Sequence, residues 1–159
     1  MKKLIFCCLV VLMGACKDDK KDPEPEVDYA KDLVGVYETT TVEGGVSSNH
    51  KWEVTTESKN QLSIKYTKIS KVSVPGSTLD LTQEFPLVAV KATAQDTFEI
   101  NEKVDVKQDI GGALNVRLSG IGTRVVNAGG VPQINITIKF SESSTGAQNV
   151  EQYLEFKKK

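Results

Sequence analysis

The chain has 159 residues, 39 % of them apolar, 6 % aromatic and 26 % charged, with 20 Lys and Arg against 21 Asp and Glu, one His and three Cys. That length holds one ordinary domain, and the balanced charge argues against the basic face that nucleic acid requires. One imidazole and so few thiols remove most zinc sites and Cys-based catalysis.

Residues 1–15 carry a basic start (Lys2, Lys3), a ten-residue apolar run from Leu4 to Met13, and the small pair Gly14-Ala15. Ten apolar residues make about 15 Å of helix, half a bilayer core, so the segment reads as a cleaved signal peptide and not as a membrane span. Its ending, Met13-Gly14-Ala15-Cys16, resembles the lipobox of bacterial lipoproteins. The resemblance implies cleavage before Cys16, lipidation of its thiol with diacylglycerol and acyl chains such as palmitate, and a membrane as the first partner. Two or more chains hold a protein stably where one does so only marginally. Cys7 and Cys8 leave with the signal, so the mature chain keeps only Cys16 and forms no internal disulfide. The next three residues, Lys17-Asp18-Asp19, resemble the Lys-acidic-acidic export signal of surface-exposed lipoproteins of Bacteroidetes. That implies the outer membrane, with the domain facing the cell exterior; a plain solvated leash is the alternative.

Residues 16–32 form a linker in this reading: seven acids, four bases and two prolines from Lys17 to Asp32 leave almost nothing to bury. Extended, it spans roughly 50 Å. The domain, residues 33–159, holds 14 acids and 14 bases, so the acidic excess of the mature protein sits in the linker.

From Leu33 onward the apolar period is 2, which predicts an all-β fold. Strands are expected near 33–42, 50–57, 61–69, 71–74 continuing irregularly to 82, 86–92, 97–106, 113–126, 133–141 and 149–157. The alternation points inward Val34 and Val36; Trp52 and Val54; Leu62, Ile64 and Tyr66; Leu79 and Leu81; and Phe98 and Ile100. It continues with Leu114, Val116 and Leu118; Ile134, Ile136, Ile138 and Phe140; and Val150, Leu154 and Phe156. Turn signals fall at Gly44-Gly45, Lys59-Asn60, Pro75-Gly76, Gly111-Gly112, Gly129-Gly130 and Ser143 to Gly146. Gly120-x-Gly122 reads as a bulge or bend at a barrel corner. Eight or nine strands joined in sequence form a single antiparallel up-and-down meander, and closure or near-closure into a barrel removes its exposed edges. An immunoglobulin-type sandwich is the alternative fold.

Gly35-Val36-Tyr37 resembles the Gly-x-Trp start of lipocalins. Together with the meander from Leu62 to Ile100, the run from Leu114 to Thr123 and the Ile134 to Phe140 strand, it makes residues 33–157 similar to the calycin-like (lipocalin-like) barrel lipoproteins of Bacteroidetes. Tyr37 stands where lipocalins place Trp, and Arg124 is the candidate for the late Arg that packs on it. The resemblance implies a small barrel with an apolar ligand and supplies no activity.

No catalytic constellation emerges, and no cofactor or metal ion is expected. His50 opens a strand from Ser-Ser-Asn-His and reads as a surface or strand-edge residue. Glu102, Asp105 and Asp109 alternate with apolar residues and read as a solvated face in preference to a calcium site, lacking the glycine and closing Glu of an EF-hand loop. Paired carboxylates for glycoside hydrolysis are not singled out. Asn135-Ile136-Thr137 reads as ordinary strand. The aromatic residues are expected mainly to fill the core. Tyr37, Trp52 and Tyr66, with apolar bodies and polar tips, are the candidate ligand-binding residues. Two functions remain: a carrier of an apolar or amphiphilic small molecule, or a non-enzymatic interaction module with a filled core that acts through loops such as 43–49, 107–112 or 127–132.

Overall fold

The computed structural model describes residues 27–142 and 150–159. The signal peptide, Cys16, Lys17, Asp18, Asp19, most of the linker and the Ser143 to Gly146 turn lie outside the described residues. A short helix α1 (Ala30–Leu33) precedes eight strands: β1 (Gly35–Glu43), β2 (Val46–Ser58), β3 (Gln61–Val74), β4 (Ser77–Ala94), β5 (Thr97–Gln108), β6 (Leu114–Val126), β7 (Pro132–Glu142) and β8 (Val150–Lys158). Each strand pairs antiparallel with its neighbour in sequence, and β1 also pairs with β8, so the meander closes as an up-and-down barrel and not as a sandwich.

The local signals fall where the chain reverses. Gly44 and Gly45, at φ +56° and +81°, make the two-residue β1–β2 turn, where both central residues must be left-handed to match strand twist. Pro75 and Gly76 turn β3 into β4, with Gly76 at φ +84°. The count is eight because 71–82 is no separate strand: β3 runs on to Val74 and β4 starts at Ser77.

Most of the expected inward residues are buried, from Trp52 and Val54 round to Leu154 and Phe156. The first strand is out of phase. Leu33 belongs to α1 and the strand begins at Gly35, so Tyr37 points inward at 0 % exposure while Val36 faces out and Val34 is a half-buried cap residue. In β4 the inward set changes from odd numbers (Phe85, Leu87) to even (Val90, Ala92). The register shows why: Ile64 pairs with Leu87 but Leu62 with Val90, a bulge that inserts one residue and flips the pattern.

That bulge meets an interruption in the β4–β5 ladder, which has no recorded pairs between Glu84↔Lys107 and Lys91↔Glu99. Glu102 fills it: the Val88 and Ala89 N–H groups donate to its two carboxylate oxygens, each at 2.9 Å. Glu102→Ala leaves two backbone donors without this charged acceptor and is expected to lower stability by about 1–2 kcal/mol. Faster hydrogen exchange confined to Val88 and Ala89 and their neighbours is the signature; unchanged exchange there would show that the carboxylate holds nothing. Asp105 accepts from Asn115 and Asp109 from the Thr82 N–H, so the three acids serve three separate sheet contacts.

The Gly120 and Gly122 reading also changes. No residue is inserted here, so there is no bulge: β5 and β6 pair without a break, and the β6–β7 register is the same on both sides of a gap between Ser119↔Lys139 and Gly122↔Ile136. A Cβ on Gly122 would stand 2.2 Å from Phe98 Cζ, and one on Gly120 would stand 2.5 Å from the Thr137 carbonyl oxygen. The glycines are there to admit an aromatic ring and a neighbouring backbone.

Candidate ligand-binding site at the open end of the barrel

The two ends of the barrel differ. At one, the segment before β1 folds across the opening: Asp28 accepts from the Ala30 and Asn60 N–H groups, and Asn60 in the β2–β3 turn accepts from the Tyr29 N–H at 2.7 Å. The Asn60 N–H bond is the main cause holding the Asp28 carboxyl below its usual range. Ala30 and Leu33 are fully buried there, and Tyr37 Oη donates to the Leu33 carbonyl at 3.0 Å. The folded unit thus takes in residues that composition alone assigns to the linker.

Beside this closure, Lys158 of β8 passes over Gly35, which lies at φ +149° and where a Cβ would sit 2.6 Å from Lys158 Cε. Its ammonium donates to the Val34 carbonyl at 2.8 Å and lies 5.7 Å from the centre of the Tyr37 ring. This cation lies over the Tyr37 ring; Arg124, the expected partner, is held by Asp96 through Nε and Nη2, both at 2.9 Å, and acts on the Tyr37 phenol through its charge, opposing the rise that burial causes. Gly35 and Tyr37 are legible as a pair, but the cation that meets them is a Lys on the last strand, 121 residues after Tyr37.

The middle of the barrel is packed. Trp52 stacks on Phe156 at 4.2 Å and meets Tyr66 and Phe98 edge-on near 6 Å. Tyr37, Trp52 and Tyr66 are all fully buried. None of the three lines the cavity described below. His50 is in this core too, at 1 % exposure, which corrects its reading as a surface residue. Its Nδ1 lies 2.7 Å from Tyr66 Oη and its Nε2 2.9 Å from Thr41 Oγ1, so both ring nitrogens are satisfied by hydroxyls. Burial and the Lys68 cation push its pKa down to about 4, against a weaker opposing pull from Glu43. Burial likewise raises the Tyr66 phenol. The alternation put His50 in phase with Trp52 and Val54, the one sequence signal that it points inward.

Above this core the barrel opens into a cup of about 330 Å³. Phe85, Phe140, Leu114, Val116 and Val150 supply apolar surface; Glu43, Lys68, Gln83, Ser141 and Gln152 supply polar groups. Phe85 stacks on Tyr66 at 4.9 Å and meets Phe140 edge-on at 5.8 Å, so the cup rests on the aromatic core. Gln152 donates to Glu43 at 2.7 Å, bridging β8 and β1 where their ladder, paired only at Tyr37↔Lys158 and Glu38↔Lys157, has parted. Gln83 donates to Gln108 at 3.1 Å. A concave, mostly apolar recess with a few convergent polar groups is the usual form of a small-molecule site. Leu114, Phe140 and Val150 were expected as core; they lie half-buried or, for Val150, 54 % exposed, because they occupy the ends of strands at the mouth. A second hollow on the outer wall is edged by Glu38, Lys51 and Lys157 to Lys159; Lys159 pairs with Glu38, Lys51 with Glu53, and Lys158 donates to the Val34 carbonyl. No group of three or more potential metal ligands occurs among the described residues.

The class this geometry defines is a closed eight-stranded antiparallel barrel with one plugged end and one open, cup-bearing end. No family model and no curated protein matches the chain. Among solved structures, one titled "Structure of EF1p2_mFAP2b bound to DFHBI" superposes with a TM-score of 0.49 and 16 % identity, over 83 % of this chain and 98 % of that one. The assignment of the barrel rests on its own strand pairing.

Proposed function

We propose that this is a lipoprotein of the calycin-like type, anchored through Cys16 to the outer membrane and displayed at the cell surface, whose barrel carries an apolar or amphiphilic small molecule in the cup. The observation that carries the binding is the cup itself: about 330 Å³ of mostly apolar recess above a packed core, open among the described residues at the end away from α1. The lipobox ending at Cys16 and the Lys17-Asp18-Asp19 triplet support the anchor and the display. Gly35, Tyr37 and Lys158 at the closed end support the family reading. The chain enters at that closed end, so the cup opens opposite the point where the linker joins the barrel. A recess this size takes a molecule of ring or short-chain dimensions.

The alternative, an interaction module with a filled core, loses ground on two counts. The core is filled only up to the level of Tyr66, and the loops it would use are divided, 127–132 lying at the closed end and 43–49 and 107–112 at the open one.

Native mass spectrometry of the mature protein, purified gently from its own host, tests the reading. The expected result is a mass that includes acyl chains on Cys16 plus an adduct lost on denaturation, and the loss of that adduct in Leu114→Trp, which fills the cup from a half-buried position. A bare acylated mass, or an adduct indifferent to Leu114→Trp, would sink the carrier reading. Protection of the domain from added protease on intact cells, with digestion after lysis, would sink the surface display.

A further inference from the structure

The β3–β4 hairpin is longer than the barrel. Pairing of β2 with β3 stops at Ser47↔Lys71, and pairing of β5 with β4 starts at Gln83↔Gln108, secured by Asp109 and Thr82 just beyond it. Residues 72–81 therefore stand past the rim as a two-stranded arm. Because side chains alternate across a sheet, the hairpin ladder sets one continuous row on the face that looks into the cup. From the core upward it reads Tyr66 opposite Phe85, Lys68 opposite Gln83, Ser70 opposite Leu81, then Val72 opposite Leu79. The other face of the arm is polar and paired, with Lys71 3.7 Å from Asp80.

The row is thus apolar, then polar, then apolar. Its lower apolar part is covered by the barrel, but its upper part is not: Leu79 is 44 % exposed although it points the same way as Phe85. This explains why Leu79 and Leu81 looked like core from their alternation. They are on the inward face of strands that have outrun the interior. In the polar part, Lys68 points into the cup without an ion-pair partner among the described residues; Glu43, one strand beyond β2 on β1, keeps its charge and accepts from the neutral Gln152 amide at 2.7 Å. An inward ammonium with no carboxylate in ion-pair contact keeps its donors free for an anionic group beside it.

We propose that cup and arm form one binding surface, and that its ligand is an elongated molecule with an anionic group between two apolar parts. One apolar part fills the cup against Phe85 and Phe140, the anion meets Lys68 and Gln83, and the second apolar part leaves through the mouth and lies along Val72 and Leu79. The proposal rests on the cup being a ligand site and goes further in giving the order of chemistry along the ligand.

Calorimetry on the mature protein with two synthetic probes tests it: N-acetylphenylalanine, which carries the ring and the carboxylate, and N-octanoylphenylalanine, which adds a chain long enough to reach the arm. The octanoyl probe is expected to bind at least tenfold tighter than the acetyl probe. Val72→Ser combined with Leu79→Ser, two changes at incompletely buried positions, is expected to abolish that gain while leaving acetyl-probe affinity and the melting temperature unchanged. Lys68→Gln is expected to weaken both probes about tenfold. A chain-length gain that survives in the double variant overturns the role of the arm, as does a fall in oligomeric mass in that variant, which would make the arm a contact between copies. If neither probe binds while the native adduct is present and sensitive to Leu114→Trp, the ordered ligand class is wrong and the cup reading stands. If that adduct is absent as well, both fall together.

Discussion

Gly122→Ala is expected to destabilise the barrel by about 2–3 kcal/mol, the upper part of the range for overpacking a filled core, and to lower its melting temperature by about 10 °C. The new methyl would overlap the Phe98 ring, with Cζ at 2.2 Å and both Cε atoms under 3 Å. Phe98 cannot swing aside into solvent, since it is 1 % exposed and lies edge-on to Trp52 at 6.0 Å. Relief must come from moving the ring against the aromatic core or parting β5 from β6. Phe98→Leu makes room at the price of a cavity of its own, so a double-mutant cycle discriminates. Gly122→Ala with Phe98→Leu should be at least 1 kcal/mol more stable than the two single losses predict. Simple additivity would mean that the glycine serves backbone bending and not the ring.

Acidification is the second large effect. An imidazole whose pKa is about 4 in the folded chain and about 6.5 in the unfolded chain binds its proton more readily once unfolded. Its contribution is therefore fully present above pH 6.5 and is lost as the pH falls toward 4. Between pH 7 and pH 5, above the range where most carboxylates titrate, the loss from His50 is about 2 kcal/mol. Thr41 and Tyr66 satisfy the ring without charge, Lys68 opposes the imidazolium, and Glu43 offsets only part of this. Urea midpoints followed by the emission of Trp52, the single Trp in the chain, measure the effect directly. The wild type should lose about 2 kcal/mol across that interval and His50→Gln less than about 0.5. An equal loss in both would place the titrating group elsewhere.

How much of this was legible depends on the range of the interaction. Period 2 and the turn pairs Gly44-Gly45 and Pro75-Gly76 are properties of a few adjacent residues, and they were sufficient for an all-β meander with most inward residues correctly assigned. The errors lie where a distant contact overrides the local pattern. Val36 was turned inward because α1, which ends the incoming segment at Leu33, is too short to leave a helical period. The inward set of β4 changes phase at a bulge that Glu102 holds from the next strand. Nothing local singles out Lys158 as the late cation that crosses Gly35. The polar flanks of His50, Ser47 to Asn49, point to a surface residue, whereas its hydroxyl partners are on β1 and β3.

The site was less legible still. Tyr37, Trp52 and Tyr66 stand out in the sequence for their chemistry, and the barrel buries Trp52 and Tyr66 in its packed centre and Tyr37 beside the closed end. The cup is made instead from strand ends: Phe85, Phe140, Leu114, Val150 and Lys68 are ordinary members of alternating runs until the lengths of neighbouring strands are compared. Residue chemistry and local period determine which way a side chain faces, and with that the class of fold and the composition of the interior. Whether an inward side chain is core, cup wall or exposed arm depends on how far each strand runs relative to the next and on which end α1 closes. Those are set by register between segments far apart in the chain, so only the closed barrel decides them.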